Sequence, residues 1–343
     1  MFDLRTVIHG RNNFMNKKNY NYGTAILSAF EYLLENYPEA FVIGQGLWSP
    51  WYVGNSMTDL DKKFGAARVI DTPVSEAACT GAAIGASLTG MKPIVVHPRM
   101  DFMIYAMDAI VNQAAKWSHM FGGQAHPGVT IRSIINRGGE QGAQHSQALH
   151  AWFAHVPGLR VVMPSTVADA RDLLIASVLC PDPVMYIDDR WLYEQEDDLP
   201  PVVELDLLQQ RPKTTQIGSD ITIVASGHAS LLARQGGKLI GNEGISAEVI
   251  DVRVLNPFFA DEIVNSVKKT QNLLVVDSGC MSGGFSAEII SKVVESVPVN
   301  CLENPPLRIA LPDAPAPTSR LLEQDYYLTS ADVVDASRRM LNR

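Results

Sequence analysis

A strand–helix–strand pattern decides the fold: PIVVH (93–97), DFMIYAMDAIVNQAAKW (101–117) and VTIRSII (129–135). The outer runs are short, apolar and rich in β-branched residues, which favours strands buried on both faces, while the central run has the length of a helix. Two parallel strands need a long crossover, and a helix is the usual one. The pattern therefore predicts a parallel sheet covered by helices.

The same alternation continues on both sides of this stretch. Upstream, TAILSAFEYLLEN (24–36) has the spacing of an amphipathic helix, and AFVIG (40–44) that of a strand. Downstream we expect a helix, a strand, a helix and a strand: SQALHAWFAH (146–155), LRVVMP (159–164), TVADARDLLIASVL (166–179) and PVMYI (183–187).

A polar, acidic segment with a Pro-Pro pair, at 191–216, interrupts the alternation, as a linker would. The pattern resumes with DITIVASG. We therefore predict an α/β protein of two consecutive three-layer domains with mainly parallel sheets, at 20–190 and 217–343. Residues 1–19 lack the features of a secretory signal and precede the first clear helix, so they are predicted to form a flexible N-terminal arm or an upstream extension.

Composition excludes several classes of protein. The 343 residues include 28 lysines and arginines against 37 aspartates and glutamates, a net charge of −9 that argues against nucleic acid as a partner. No stretch approaches the roughly 18 apolar residues that suggest a membrane span. The four cysteines are far apart and form no CxxC, which favours a reduced, cytoplasmic protein.

Several catalytic and binding motifs are missing from the sequence. It has no P-loop, no GxGxxG after a strand, no GxSxG and no HExxH. His145, His150 and His155 are five residues apart, a spacing that does not place them on one face of a helix. We therefore predict no metal ligands on this chain.

The segment RVIDTPVSEAACTGAAIGASLTG (68–90) places Glu76 ahead of fourteen uncharged residues. Its small side chains predict a buried, closely packed helix over 76–90 that a neighbouring chain or ligand could approach. Glu76 has two interpretations. It complements the positive N-terminus of that helix, or it is a partly buried acid that exchanges a proton with a ligand.

His145 follows the glycine-rich loop RGGEQG (137–142) and stands before a predicted helix. Loops at this end of a parallel sheet are where α/β proteins bind ligands. A histidine here is either a structural hydrogen-bonding group or a proton donor and acceptor near neutral pH.

Four runs carry a family resemblance: DTPVSE, AAIGASLTGMKPIV, MDFMIYAMDAIVNQAAKW and GAQHSQALHAWFAHVPGLRVVMPST. They closely resemble the beta subunit of the thiamine-diphosphate-dependent 2-oxo-acid dehydrogenases of pyruvate, branched-chain and acetoin type, and the likeness covers about 22–340. It implies a transketolase-like architecture, with a pyrimidine-binding domain followed by a transketolase C-terminal domain. It also implies decarboxylation of a 2-oxo acid with transfer of the acyl group to a lipoyl carrier.

Two other functions fit the same fold. A carboligase would transfer its unit to an aldehyde or sugar without a lipoyl partner. A non-catalytic subunit is disfavoured because Glu76, Phe102 and His145 are all retained.

The resemblance also implies roles for these three residues. The glutamate that matches Glu76 hydrogen-bonds a ring nitrogen of the cofactor's aminopyrimidine, and the aromatic residue that matches Phe102 packs against that ring. The histidine that matches His145 acts in proton transfer or in acyl transfer to the lipoyl group.

The missing GDG motif indicates where the rest of the site lies. In this family that motif holds Mg²⁺ and the diphosphate, and its absence here places both on an alpha subunit. The implied assembly is two alpha plus two beta chains, with the small-residue helix after Glu76 as a candidate contact and a lipoyl acyltransferase as a further partner.

The sequence departs from the family at several positions. Gln45 in GQG replaces an acid, HPRMDF introduces His97 and Arg99, and the glycine-rich loop is altered. These three changes are expected near the cleft, so we take Gln45, His97 and Arg99 as candidate substrate residues. They reflect either drift or an altered substrate, because Arg99 could pair with a carboxylate or phosphate.

The sequence has two further departures from the family. After the last strand of the first domain the family's Leu-Glu is Ile187-Asp188, followed by Asp189-Arg190. Cys180 stands at a usual aspartate of the family's potassium site, so that site is not assigned to this chain.

Overall fold

The computed structural model describes residues 20–342, so the predicted arm at 1–19 lies outside the described residues. Its strands are β1 (Tyr20–Asn21), β2 (Ala40–Gln45), β3 (Val69–Thr72), β4 (Lys92–His97), β5 (Thr130–Ile135), β6 (Arg160–Val162), β7 (Val184–Asp189), β8 (Glu196–Asp197), β9 (Lys213–Gln216), β10 (Ile221–Ala225), β11 (Ala247–Asp251), β12 (Val254–Asn256), β13 (Leu273–Cys280) and β14 (Leu307–Leu311). Its α-helices are α1 (Tyr22–Asn36), α2 (Pro50–Val53), α3 (Leu60–Phe64), α4 (Glu76–Ser87), α5 (Met100–Met103), α6 (Ala115–Met120), α7 (His150–Ala154), α8 (Val167–Leu179), α9 (His228–Gly241), α10 (Asp261–Thr270), α11 (Phe285–Ser296), α12 (Arg320–Tyr326) and α13 (Ser330–Leu341).

The first sheet has seven strands in the order β12-β6-β7-β5-β4-β2-β3. All neighbouring strands are parallel except β12, which runs antiparallel to β6. Val95 of β4 packs into one apolar core, and Ile94 and Val96 pack into another. Apolar cores therefore cover both faces, which confirms the predicted three-layer arrangement and explains why the strand is apolar throughout.

The second sheet has five strands in the order β14-β13-β10-β11-β9, with β9 as an antiparallel edge. The edge strand β9 uses the last four residues of the predicted linker at 191–216. Strand β12 belongs to the second half of the sequence but pairs with the first sheet, an arrangement that the sequence did not predict. The domain boundaries themselves stay a prediction.

Two helical regions differ from their predicted form. The helix predicted at 101–117 is a longer run in which α5, a 3-10 turn at Ile104–Ala106, a π-helical segment at Ala109–Ala114 and α6 follow one another. The helix predicted at 146–155 begins only at His150. The backbone N–H groups of Gln147 and Leu149 instead donate to the Asp101 carboxylate and the Met100 sulfur.

Helix α4 is shorter and less buried than predicted for 76–90. It ends at Ser87, and only one face is covered by the chain. The buried face comprises Cys79, Thr80, Ala83, Ile84 and Ser87, whereas Ala77, Ala78, Gly81, Ala82 and Gly85 are exposed. Within residues 20–342 the predicted burial therefore holds for one face of α4 only, because the small residues on the opposite face have no packing partner there.

Candidate active site

A cavity of about 530 Å³ opens at the carboxyl ends of four adjacent strands of the first sheet. It contains residues from β2, β3 and β4, and Asn136 directly after β5. The carboxyl ends of parallel strands are the usual ligand-binding edge of an α/β sheet. The cavity contains all six residues predicted from the sequence: Gln45, Glu76, His97, Arg99, Phe102 and His145.

Glu76 is the first residue of α4 and faces this cavity. The first turn of a helix has backbone N–H groups without intrahelical partners, so a carboxylate is favourable there. Within residues 20–342 no donor hydrogen-bonds the Glu76 carboxylate. Glu76 is also the only acidic residue among those that form the cavity. Its carboxylate is therefore available to a ligand.

Phe102 and His145 contact each other at the cavity wall. Their ring centroids lie 5.2 Å apart at an interplanar angle of 85°, an edge-to-face arrangement. Phe102, 37 % exposed, is carried by α5, while His145 lies in the loop before α7, where its backbone N–H donates to the Gly142 carbonyl. The pair places an apolar ring beside an imidazole. Neither residue lies on α4, the helix that carries Glu76.

His97 ends β4 and is buried, with its Nε2 atom 3.1 Å from the hydroxyl of Thr80 on α4. Burial lowers the pKa of His97 to about 4. The imidazole is therefore neutral at physiological pH. It contributes a hydrogen bond between sheet and helix rather than a positive charge.

Gln45 and Arg99 also lie at strand ends beside the cavity. Gln45 is the last residue of β2, and the turn after it is held by Asp71, whose carboxylate accepts from the backbone N–H groups of Gly46 and Leu47 at 2.6 and 3.2 Å. Arg99 follows β4 and donates to the side-chain oxygen of Gln141 in the glycine-rich loop. This hydrogen bond joins two of the altered segments at one wall.

Arg190 also lines the cavity, although the sequence did not mark it as a site residue. It follows β7, and its Nη2 atom donates to the Tyr52 carbonyl at 2.5 Å. The available signal was its position directly after a parallel strand. From the sequence, the change at 187–190 was not assigned to the cleft, and the structure places Arg190 there.

Residues 20–342 contain no group of three or more histidine, cysteine, aspartate or glutamate side chains arranged to hold a metal ion. In the same part of the chain, no helix is both long enough and apolar enough to cross a membrane.

Two domain families match this chain in the expected order. Residues 18–195 match the transketolase pyrimidine binding domain, and residues 212–333 match the transketolase C-terminal domain. A solved structure described as "Split gene transketolase, inactive beta4 tetramer" superposes with a TM-score of 0.72 at 22 % identity, covering 94 % of this chain and 98 % of the other. Fold and site together define a transketolase-type α/β protein.

The sequence relatives narrow this class. The pyruvate dehydrogenase E1 component subunit beta of Rhizobium meliloti is 35 % identical over 87 % of this chain, which spans 65 % of that relative's length. The acetoin:2,6-dichlorophenolindophenol oxidoreductase subunit beta of Bacillus subtilis is 34 % identical, covering 82 % of both chains. The chain belongs to the family of beta subunits of the thiamine-diphosphate-dependent 2-oxo-acid dehydrogenases.

Proposed function

We propose that this chain supplies one half of a thiamine diphosphate site in a 2-oxo-acid dehydrogenase whose other half lies on an alpha subunit. One observation carries the proposal. The Glu76 carboxylate, without a partner in residues 20–342, faces a cavity whose wall also contains the Phe102–His145 pair.

The cavity fits the aminopyrimidine end of this cofactor. Its volume of about 530 Å³ lies within the range of small-molecule sites. Glu76 provides a carboxylate that can hydrogen-bond a ring nitrogen and hold a proton there, and Phe102 provides an apolar face for packing. When bound, the cofactor supplies an electron sink for loss of CO₂ from a 2-oxo acid.

His145 is proposed to move a proton at the open side of the site. Its ring packs edge-to-face with the ring of Phe102. Because the loop that carries it also carries Gln141, the hydrogen bond from Arg99 to Gln141 helps to fix the loop in position. His145 is thus held at the cavity wall beside Phe102.

Mg²⁺ and the diphosphate are proposed to be held by the alpha subunit. The absence of a GDG motif and of a suitable ligand group in residues 20–342 supports this division. The exposed small-residue face of α4, which begins beside Glu76, is a suitable contact for a second chain. We propose an assembly of two alpha and two beta chains, a lipoyl acyltransferase as the acyl acceptor and a cytoplasmic location.

The division can be tested with titration calorimetry of thiamine diphosphate and Mg²⁺. The isolated chain should bind the cofactor weakly, while the complex with the alpha subunit should bind it tightly. Binding by the isolated chain at micromolar affinity or better would contradict the divided site.

The role of Glu76 can be tested in the same complex. Glu76→Gln should lower 2-oxo-acid decarboxylation by at least about a hundredfold while the complex still assembles, a loss typical of removing a group that controls a proton. Glu39→Gln is a matched control, because Glu39 lies on the surface with Lys92 as its only ion-pair partner among the described residues. Near-normal turnover by Glu76→Gln would refute the role.

The carboligase alternative is not favoured by the dehydrogenase relatives.

A further inference from the structure

The cavity contains two guanidinium groups that have no carboxylate partner. Arg99 donates to neutral oxygens, those of the Gln141 side chain and the His145 carbonyl, the latter at 3.5 Å. Arg190 donates to the Tyr52 carbonyl. Neither forms an ion pair within residues 20–342.

Buried arginines near this cavity are treated differently. Arg132 forms a fully buried ion pair with Asp188, with Nη2 and Oδ2 2.8 Å apart. Arg137 forms another with Asp189. The two fully buried guanidinium groups near the cavity are thus paired with aspartates, whereas the two that line the cavity are not.

Arg99 and Arg190 line the same cavity, and the charge of one acts on the other. Burial lowers the pKa of Arg99, the carboxylate of Asp101 opposes this effect, and the positive charge of Arg190 adds to it. His97 does not add charge, because its ring is neutral at physiological pH. The excess positive charge thus comes from Arg99 and Arg190.

Both arginines also retain donors without a partner. In residues 20–342 nothing accepts from Nε or Nη2 of Arg99, nor from Nη1 of Arg190, and the Nε atom of Arg190 is buried without a partner. Guanidinium forks suit the planar or tetrahedral oxygen arrays of carboxylates and phosphates. An anionic ligand would satisfy these donors and reduce the repulsion between the two charges.

We infer that the substrate carries a second anionic group, a carboxylate or phosphate remote from its reacting carbonyl, which Arg99 and Arg190 bind together. This inference rests on the proposed function, because it concerns the substrate of the same cavity. It extends that function from 2-oxo acids in general to those with a charged distal end.

Turnover by the complex with the alpha subunit provides the first test. 2-Oxoglutarate and 2-oxopentanoate have the same carbon skeleton and differ in the distal carboxylate. We expect kcat/KM to be at least about tenfold higher for 2-oxoglutarate, as befits a charge-assisted contact. Arg99→Gln and Arg190→Gln should each bring the ratio towards one. Arg339→Gln, at an exposed arginine on α13, should preserve it.

Calorimetry with unreactive probes provides the second test and does not depend on turnover. The complex should bind glutarate or 3-phosphonopropionate at least about tenfold more tightly than pentanoate, and Arg99→Gln should remove the difference. Tighter binding of the phosphonate would indicate that the second anionic group of the substrate is a phosphate. Tighter binding of glutarate would indicate that it is a carboxylate.

The two proposals fail in different ways. Equal affinity for all three probes, with a turnover ratio near one, overturns the inference about the substrate and leaves the proposed function standing. Selective binding of an anionic probe without any thiamine-dependent turnover supports the anion site and counts against the proposed function.

Discussion

The imidazole of His150 lies 2.9 Å from the carboxylate of Asp277, and both side chains are almost fully buried. His150 belongs to the first α/β unit, built on the seven-stranded sheet, and Asp277 to the second, built on the five-stranded sheet. The same carboxylate accepts from the backbone N–H groups of Gly279 and Ser286, each at 2.9 Å. Burial alone would raise the pKa of Asp277, but His150 and these backbone donors lower it to about 2. Asp277 is therefore a charged connection between the two units.

Asp277→Asn should loosen the contact between the units. An amide keeps part of the hydrogen bonding but loses the charge that His150 and the backbone donors favour, so we expect a loss of about 2–4 kcal/mol in the free energy of unfolding. Urea denaturation measures this loss. Asp335→Asn is the control, since its side chain is 74 % exposed and its pair with Arg338 should contribute little. Equal effects of the two substitutions would contradict the buried connection.

Asp188→Asn should destabilise the first unit more strongly. Asp188 accepts from Arg132 and from the Tyr193 hydroxyl, and its side chain has no exposed surface. Without the carboxylate the buried guanidinium loses its counter-charge, which we expect to cost about 3–5 kcal/mol. Thermal unfolding measures this cost. Asp59→Asn removes an exposed pair with Lys62 and should have almost no effect, so a comparable loss there would argue against the explanation.

Gly138→Ala should distort the loop that carries His145. Gly138 has a φ of +73°, and an added Cβ would lie 2.7 Å from the Trp191 ring. Gly139 has a similar φ of +67° but open space around the added atom, so Gly139→Ala separates backbone strain from the clash. We expect Gly138→Ala to cost about 1–3 kcal/mol more in thermal unfolding, and to lower turnover of the complex more. Indistinguishable variants would show that the ring moves freely.

Asp251 should make stability depend on pH. Burial raises the pKa of Asp251 to about 6, although hydrogen bonds from Ser165 and Ser230 oppose the shift. The unfolded value is roughly 3.9, so the folded state binds the proton more tightly and stability falls as pH rises from about 4 to about 6.

Asp251→Asn removes this titration. The stability of wild type relative to the variant should fall by about 2–3 kcal/mol between pH 4 and pH 7, measured by urea denaturation at each pH. A constant difference across this range would contradict the raised pKa.

The central strands of both sheets and their parallel arrangement could be predicted from the sequence, because apolar β-branched runs carry this information locally. Phe102, Gln45, His97 and Arg99 were chosen as site residues by comparison with the family, and the structure places them in the same cavity as Glu76 and His145. The functional roles of Glu76, Phe102 and His145 stay predictions, because residue position alone does not show what binds.

Other features depend on contacts between distant parts of the chain. Strand β12 pairs with β6 across about ninety residues of sequence, and nothing in its short apolar run indicates which sheet it joins. The late start of α7 depends on Asp101, which accepts the hydrogen bond from the Gln147 backbone. Arg190 reaches the cavity because β7 lies beside β5, a neighbour relation that sequence order does not give.

The position of β12 has a consequence for dividing the gene. A coding sequence cut after residue 216 would encode the first unit without its seventh strand, and β6 would become a sheet edge with unpaired backbone groups. Such edges pair readily with other chains, so the fragment should self-associate. Recombination at the segment between the two units would therefore remove from the first sheet a strand, β12, that the second half of the sequence supplies.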